Sequence, residues 1–206
     1  SHAIENIRLA AEKLRGKDVK PDEFYGMVFQ DSDVAKWIEA AAYALAAGED
    51  PELEKAVDET IQLYGASQHE DGYVDSYFTV KCPDKMWTNI CDAHELYCAG
   101  HMMEAAVAYY EVTGKRELLD IMSKSADCIY EQFMKKNTRA YPGHPEVELA
   151  LMRLWRATGN EKYKELAKHF VDVRGQAPNY FVEEKKNRGW NVWDGTEELN
   201  TDYTQS

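Results

Sequence analysis

The 206 residues, 44% of them apolar, suffice for one domain with a substantial core; a chain of this size buries roughly 70% of the surface its unfolded form exposes. The formal net charge is −13 and no run of Lys or Arg exceeds two residues, which argues against nucleic acid and anionic membranes as partners. No stretch approaches the roughly 18 consecutive apolar residues of a membrane span.

No signal peptide is visible, and Cys82, Cys91, Cys98 and Cys128 form no Cys-x-x-Cys pair, so free thiols and a cytoplasmic location are expected. The chain opens without Met, almost directly into a helix, and ends on the polar run 201–206. Both ends read as cuts within a longer protein.

In chain order, Ile4, Ile7, Ala11 and Leu14 mark a helix over 4–15 that stops at Gly16 and gives way to the polar link 17–23. A pattern then occurs three times. A mostly apolar helix (34–47, 93–113, 145–158) ends at a glycine (Gly48, Gly114, Gly159) and is followed by an amphipathic helix (51–68, 115–133, 161–173). Glu39-Ala-Ala-Ala, Glu104-Ala-Ala-Val and Glu148-Leu-Ala-Leu occupy matching places in the first helices. The glycines suit left-handed helix ends, and Asp50 before Pro51 suits a helix start.

The second helices carry one apolar stripe, such as Val57, Thr60, Ile61 and Tyr64, and so have one wet face. The first helices are apolar on most sides, so they are expected to be covered all round. Repeated αα-hairpins with inner and outer helices predict an all-α fold forming part of an α/α toroid; a straight solenoid fits the same pattern. In either case the N-terminal ends of the first helices share one rim.

Two stretches interrupt the repeats. Residues 69–91 combine the Asp71-Gly72 turn signal with an aromatic and β-branched run over 73–80, and predict a short β-hairpin-like insertion. Residues 176–206 place Tyr180, Phe181, Trp190, Trp193 and Tyr203 among polar residues, as an irregular segment that serves either as a sugar platform or as an interface seam.

The shared rim carries the most unusual polar clusters: Gln30-Asp31-Ser32-Asp33, Asp92-Ala93-His94-Glu95 and Tyr141-Pro142-Gly143-His144-Pro145-Glu146. His94 sits at a helix start, and His144 is fixed between Gly143 and Pro145; together they suggest one pocket that holds hydroxyl or carboxylate groups. His101, two turns deeper, reads as a core residue or a support. Asp31, Asp33, Glu95 and Glu146 lie where the helix dipole favours acids, which needs no catalysis. A carboxylate pair could hydrolyse a glycoside, but that depends on a separation the sequence does not give. Trp87 is a candidate stacking platform, and core packing explains it equally well. No phosphate loop, no Gly-x-Ser-x-Gly and no complete metal-ligand set is present.

The segments Gly26-Met-Val-Phe-Gln-Asp-Ser-Asp-Val-Ala-Lys-Trp37, Gln68-His-Glu-Asp-Gly-Tyr73, Trp87-Thr-Asn89, His94-Glu-Leu-Tyr-Cys-Ala-Gly-His101 and Tyr141-Pro-Gly-His-Pro-Glu146 together resemble glycoside hydrolase family 127, the β-L-arabinofuranosidases. The resemblance runs in order from about residue 4 to the end. It implies an (α/α)6 barrel that removes terminal β-L-arabinofuranose with retention, using a zinc-bound cysteine nucleophile and a glutamate acid/base. None of the four cysteines here matches that nucleophile.

Residues 1–206 are therefore expected to be the N-terminal half of such a barrel, inactive alone, with the nucleophile, acid/base and zinc supplied by the remainder. By resemblance His94 and His144 hold sugar hydroxyls. Gln30, Asp31 and Glu95, on rim position as much as on the resemblance, and Trp87, as a stacking platform, complete the candidate set. A half barrel should expose apolar inner-helix surface, for example on the flanks of 93–113, for the rest of the barrel or a second copy to cover. Two other classes compete: a non-catalytic helical repeat that binds carbohydrate or protein, and an α/α-barrel lyase or epimerase, whose base would be sought among Lys36, Lys85 and Arg139.

Overall fold

The computed structural model describes residues 1–192. Among these residues the secondary structure is entirely helical. The helices are α1 (His2–Leu14), α2 (Asp31–Ala47), α3 (Pro51–Ala66), α4 (Ser76–Lys81), α5 (Glu95–Thr113), α6 (Glu117–Tyr130), α7 (Val147–Thr158), α8 (Glu161–Val173) and α9 (Tyr180–Asn187). A π-helical turn over Glu131–Lys135 extends α6.

Local chemistry explains most boundaries. The Asp50 carboxylate accepts the Leu53 N–H at 3.0 Å ahead of Pro51, and Asn160 and Asn179 cap α8 and α9 in the same way. Gly114 and Gly159 adopt φ of 75° and 73° and close α5 and α7 through N–H bonds to Tyr110 and Trp155 carbonyls. Gly48 differs from expectation: its φ of 179° is extended, so α2 ends without a left-handed cap.

The three hairpins form two rows. In the inner row α5 packs between α2 and α7; in the outer row α6 packs between α3 and α8; α1 closes the α2–α3 end and touches α4. One continuous core joins the rows through Ile38, Ile61, Tyr64, Met102, Met103, Leu151 and Phe170, all 1% exposed or less. Each such side chain contributes about 1.5–3 kcal/mol on burial.

Among the described helices of the inner row α5 is the most covered, because it has inner-row neighbours on both sides. The exposed apolar groups of the inner row lie instead on the outer members: Trp37 and Tyr43 on α2, and Leu149 on α7. The recurrent glutamates meet arginines. Arg153 of α7 pairs with Glu104 and, at 3.3 Å, with Glu39, while Arg174 reaches Glu148 at 2.9 Å.

Two sequence expectations are corrected. The 69–91 insertion contains no strand: the run over 73–80 forms α4 after a tight turn closed by His69 N–H on the Tyr73 carbonyl, 2.8 Å. Capping overrides β propensity here. Asp75 accepts the Phe78 N–H at 3.0 Å, and the Asp31 carboxylate takes both the Ser76 N–H, at 2.7 Å, and the Ser76 hydroxyl. Within 176–206, α9 forms where an irregular segment was expected, because Asn179 accepts the Phe181 N–H at 3.0 Å. Trp193 and Tyr203 lie outside the described residues.

Candidate functional site

The inner helices run in one direction, so the starts of α2, α5 and α7 meet. Close approach there depends on two glycines. A Cβ on Gly143 would collide with the Cys91 carbonyl oxygen, and a Cβ on Gly100 would stand 3.0 Å from the Val147 nitrogen. Bare backbone at both places lets the 141–146 segment lie directly against the start of α5. Arg174 secures that segment by donating to the Pro142 carbonyl at 2.9 Å.

The result is a cluster of rings. His94 and His144 have centroids 5.0 Å apart with planes inclined at 43°. Tyr97, one turn into α5, contacts both, at 5.4 and 5.1 Å, and His101 at 4.5 Å. Phe29 covers His94 from the α2 side at 5.3 Å. Lys36 of α2 donates to the Tyr97 hydroxyl at 3.0 Å and to the Ser32 hydroxyl at 3.3 Å. Behind Tyr97, His101 Nδ1 is 3.3 Å from Glu146 Oε1. Burial lowers the pKa of both His94 and His101, and the Lys36 charge acts in the same sense on His101.

His94 adopts a left-handed backbone, φ 61°, which turns its Nδ1 onto the Asp92 carbonyl at 2.5 Å. A carbonyl oxygen only accepts, so Nδ1 carries the hydrogen. A neutral imidazole held this way presents Nε2 as an acceptor, which suits a hydroxyl-rich ligand better than an anion.

The sequence profile of the β-L-arabinofuranosidase GH127 catalytic domain matches residues 2–203. The chain belongs to glycoside hydrolase family 127. It is 43% identical over 194 residues to a non-reducing end β-L-arabinofuranosidase of Bifidobacterium longum subsp. longum, covering 90% of this chain and 28% of that protein. Among solved structures it resembles a GH127 β-L-arabinofuranosidase from Geobacillus stearothermophilus T6, with a TM-score of 0.86, 52% identity, and coverage of 98% of this chain and 30% of the other. A GH127 β-arabinofuranosidase matches with a TM-score of 0.75 at 36% identity, over 84% of this chain and 28% of the other. This GH127 chain thus spans under a third of the length of these relatives.

Gln30, Asp31, Glu95 and Trp87 of the GH127 chain have their partners away from the imidazole pair. Gln30 is turned toward α1, with its amide nitrogen 2.7 Å from His2 Nε2 and its oxygen 3.3 Å from Asn6 Nδ2. Asp31 is buried on Ser76. Glu95 is 3% exposed and accepts from the Tyr73 hydroxyl at 2.6 Å and from the Trp87 N–H at 3.1 Å; burial pushes its pKa up to about 8. Trp87 packs edge-to-face on Tyr73 and Phe133, at 5.0 and 5.5 Å, beside a separate cavity of about 390 Å³ that Lys124, Cys128 and Lys136 also line. Trp190 packs on Phe78 and donates to the Thr88 hydroxyl at 2.9 Å.

Of the three basic residues singled out in the sequence, Lys36 alone reaches the imidazole cluster. Arg139 donates to the Pro178 carbonyl at 2.8 Å, and Lys85 lies 3.8 Å from Asp84. Burial raises the pKa of all four thiols, Cys82 to about 11 and Cys128 to about 12, so none is an activated thiolate. Among the described residues no group of three His, Cys, Asp or Glu side chains converges on a metal position. These residues do not by themselves fit a zinc centre.

Arg188 and Glu184, which both contact the turn that carries Asp92, were missed by sequence reasoning. Their i,i+4 spacing just after the Asn179 cap was the available signal.

Proposed function

We propose that this chain is the sugar-binding part of an (α/α)6 barrel that releases terminal β-L-arabinofuranose with retention, and that His94 and His144 hold the sugar hydroxyls. The carrying observation is the pair of imidazoles, 5.0 Å apart, brought together from the starts of two adjacent inner helices. Such a pair, braced by Tyr97 and screened on one side by Phe29, supplies oriented polar groups on an aromatic wall, the combination that recognises a furanose.

In this reading Gln30, Asp31, Glu95 and Trp87 act from behind the wall, by fixing α1, α4 and the 87–95 loop. The exposed Trp37, Tyr43 and Leu149 at the ends of the inner row face the remaining helices of the barrel. The nucleophilic cysteine, the glutamate acid/base and the zinc belong to that remainder, which fits the raised thiol pKa values here and the coverage of 28% and 30% of the two β-L-arabinofuranosidases.

The test is hydrolysis of p-nitrophenyl β-L-arabinofuranoside, with zinc analysis, by the full-length protein and by its His94→Ala and His144→Ala variants. Each substitution is expected to lower kcat/KM about 100-fold, roughly 2.7 kcal/mol, with a raised KM and little change in melting temperature. Turnover without zinc, or variants with unchanged KM, would overturn the assignment.

A further inference from the structure

His94 owes its orientation to the Asp92 carbonyl, and that carbonyl owes its position to α9. Arg188, directly after α9, has a side chain only 3% exposed; its Nη1 lies 2.8 Å from Asp92 Oδ2 and donates to Asn89 Oδ1 at 2.7 Å. Asn89 Oδ1 also accepts the Asp92 N–H at 3.0 Å, closing the turn on itself. From α9, Glu184 accepts the N–H groups of Ile90 and Cys91 at 2.7 and 3.0 Å and pairs with Arg188 at 3.7 Å. The 89–92 turn is thus held at its backbone and at both polar side chains by residues some 95 positions later in the chain.

That is more than the helix needs for its own stability. A surface helix of eight residues that only covered the core would do so with Phe181. Here it directs a guanidinium and a carboxylate to one four-residue turn, and the next ring beyond that turn is His94. One guanidinium nitrogen, Nη1, bridges Asp92 and Asn89, so the two ends of the turn are tied to a single charged donor.

We propose that Arg188 is a positioning residue for His94: by locking the 89–92 turn it aims the Asp92 carbonyl at Nδ1, fixes the imidazole as the Nδ1–H tautomer, and sets Nε2 as the acceptor for a substrate hydroxyl. The tautomer claim stands on geometry alone. The word substrate rests on the function proposed above.

The experiment uses the full-length enzyme labelled with ¹⁵N-histidine, with the His94 resonances assigned by their loss in His94→Gln. Long-range ¹H–¹⁵N spectra of the native enzyme are expected to show His94 as Nδ1–H. Arg188→Met is expected to give a mixture of tautomers and to raise KM about 10-fold, the scale of a small misplacement of a binding group, with kcat changed less. Arg188→Lys, which keeps the charge on a shorter side chain, should recover part of both. Asp92→Asn keeps the carbonyl and removes the ion pair, so it should move in the same direction; it decides the matter if Arg188→Met does not fold. Retention of the pure Nδ1–H tautomer in the folded variants would overturn the proposal. A tautomer shift alongside unchanged KM in both Arg188→Met and His94→Ala would uphold the positioning and remove the sugar reading instead.

Discussion

The imidazoles of His94 and His144 lie at the starts of α5 and α7, and the carboxyls of Asp31, Asp75 and Glu95 at the starts of α2, α4 and α5, but the two sets meet different partners. The imidazoles meet each other and Tyr97 on the inner side of the row. The carboxyls point back into the protein and are consumed there: Asp31 on Ser76, Asp75 on Phe78, Glu95 on Tyr73 and Trp87. Burial raises the pKa of all three, and the mutual repulsion of Asp31, Glu95 and Asp75 adds to the rise at Asp75. A polar cluster at a helix start is therefore one sequence signal with two physical outcomes. Which outcome follows is decided by the partners that distant segments bring, here Ser76, 45 residues after Asp31, against Gly143, which admits His144.

The comparison breaks most readily at Asp31. Asp31→Ala leaves the Ser76 N–H and hydroxyl buried without an acceptor and removes the tie between α2 and α4. A loss of about 3 kcal/mol in stability is expected, read as a lowered urea midpoint, with KM unchanged in whatever fraction stays folded. A raised KM at native stability would instead place Asp31 in the sugar site. Gly143→Ala should act in the reverse manner. Its methyl pushes the 141–146 segment off the Cys91 carbonyl, which costs about 1–3 kcal/mol and separates His144 from His94. The KM increase is therefore expected to exceed that of an equally destabilising core substitution such as Leu151→Val.

The hairpins were legible because their signals are local. Asp50, Gly114 and Gly159 each act within a turn of their own position, and the apolar stripes of α3 and α8 need only helical periodicity. The 73–80 run misled because its β-branched and aromatic composition was outweighed by two carboxylates, one of them from α2. At the site, the meeting of His94 with His144 followed from the repeat alone, since inner helices of like direction share a rim. The inward turn of Gln30, Asp31 and Glu95 did not, because side-chain direction at a helix start depends on tertiary partners absent from any local pattern. Arg188 and Glu184 fall in the same class: their contacts with residues 89–92 cross more than ninety positions.

The smallest expected effect concerns Glu95, and it separates the two regions by pH. Its folded pKa is raised to about 8 from an ordinary value of 4.5, chiefly by burial. Between those values the folded state holds a proton that the unfolded state has released. The neutral form is what the site tolerates, so stability is fully present below about pH 4.5 and falls as pH rises toward 8, then levels off. Glu95→Gln keeps an acceptor for Tyr73 and Trp87 and removes the ionisation. Denaturation midpoints of the two proteins should therefore diverge as pH rises from 5 to 8, with the variant the more resistant at pH 8. The remaining side chains are common to both proteins, so the difference isolates the carboxyl. Parallel midpoints over that range would mean that Glu95 ionises freely in the folded protein, and would move it from the buried cluster to the accessible side of the comparison, beside the imidazoles.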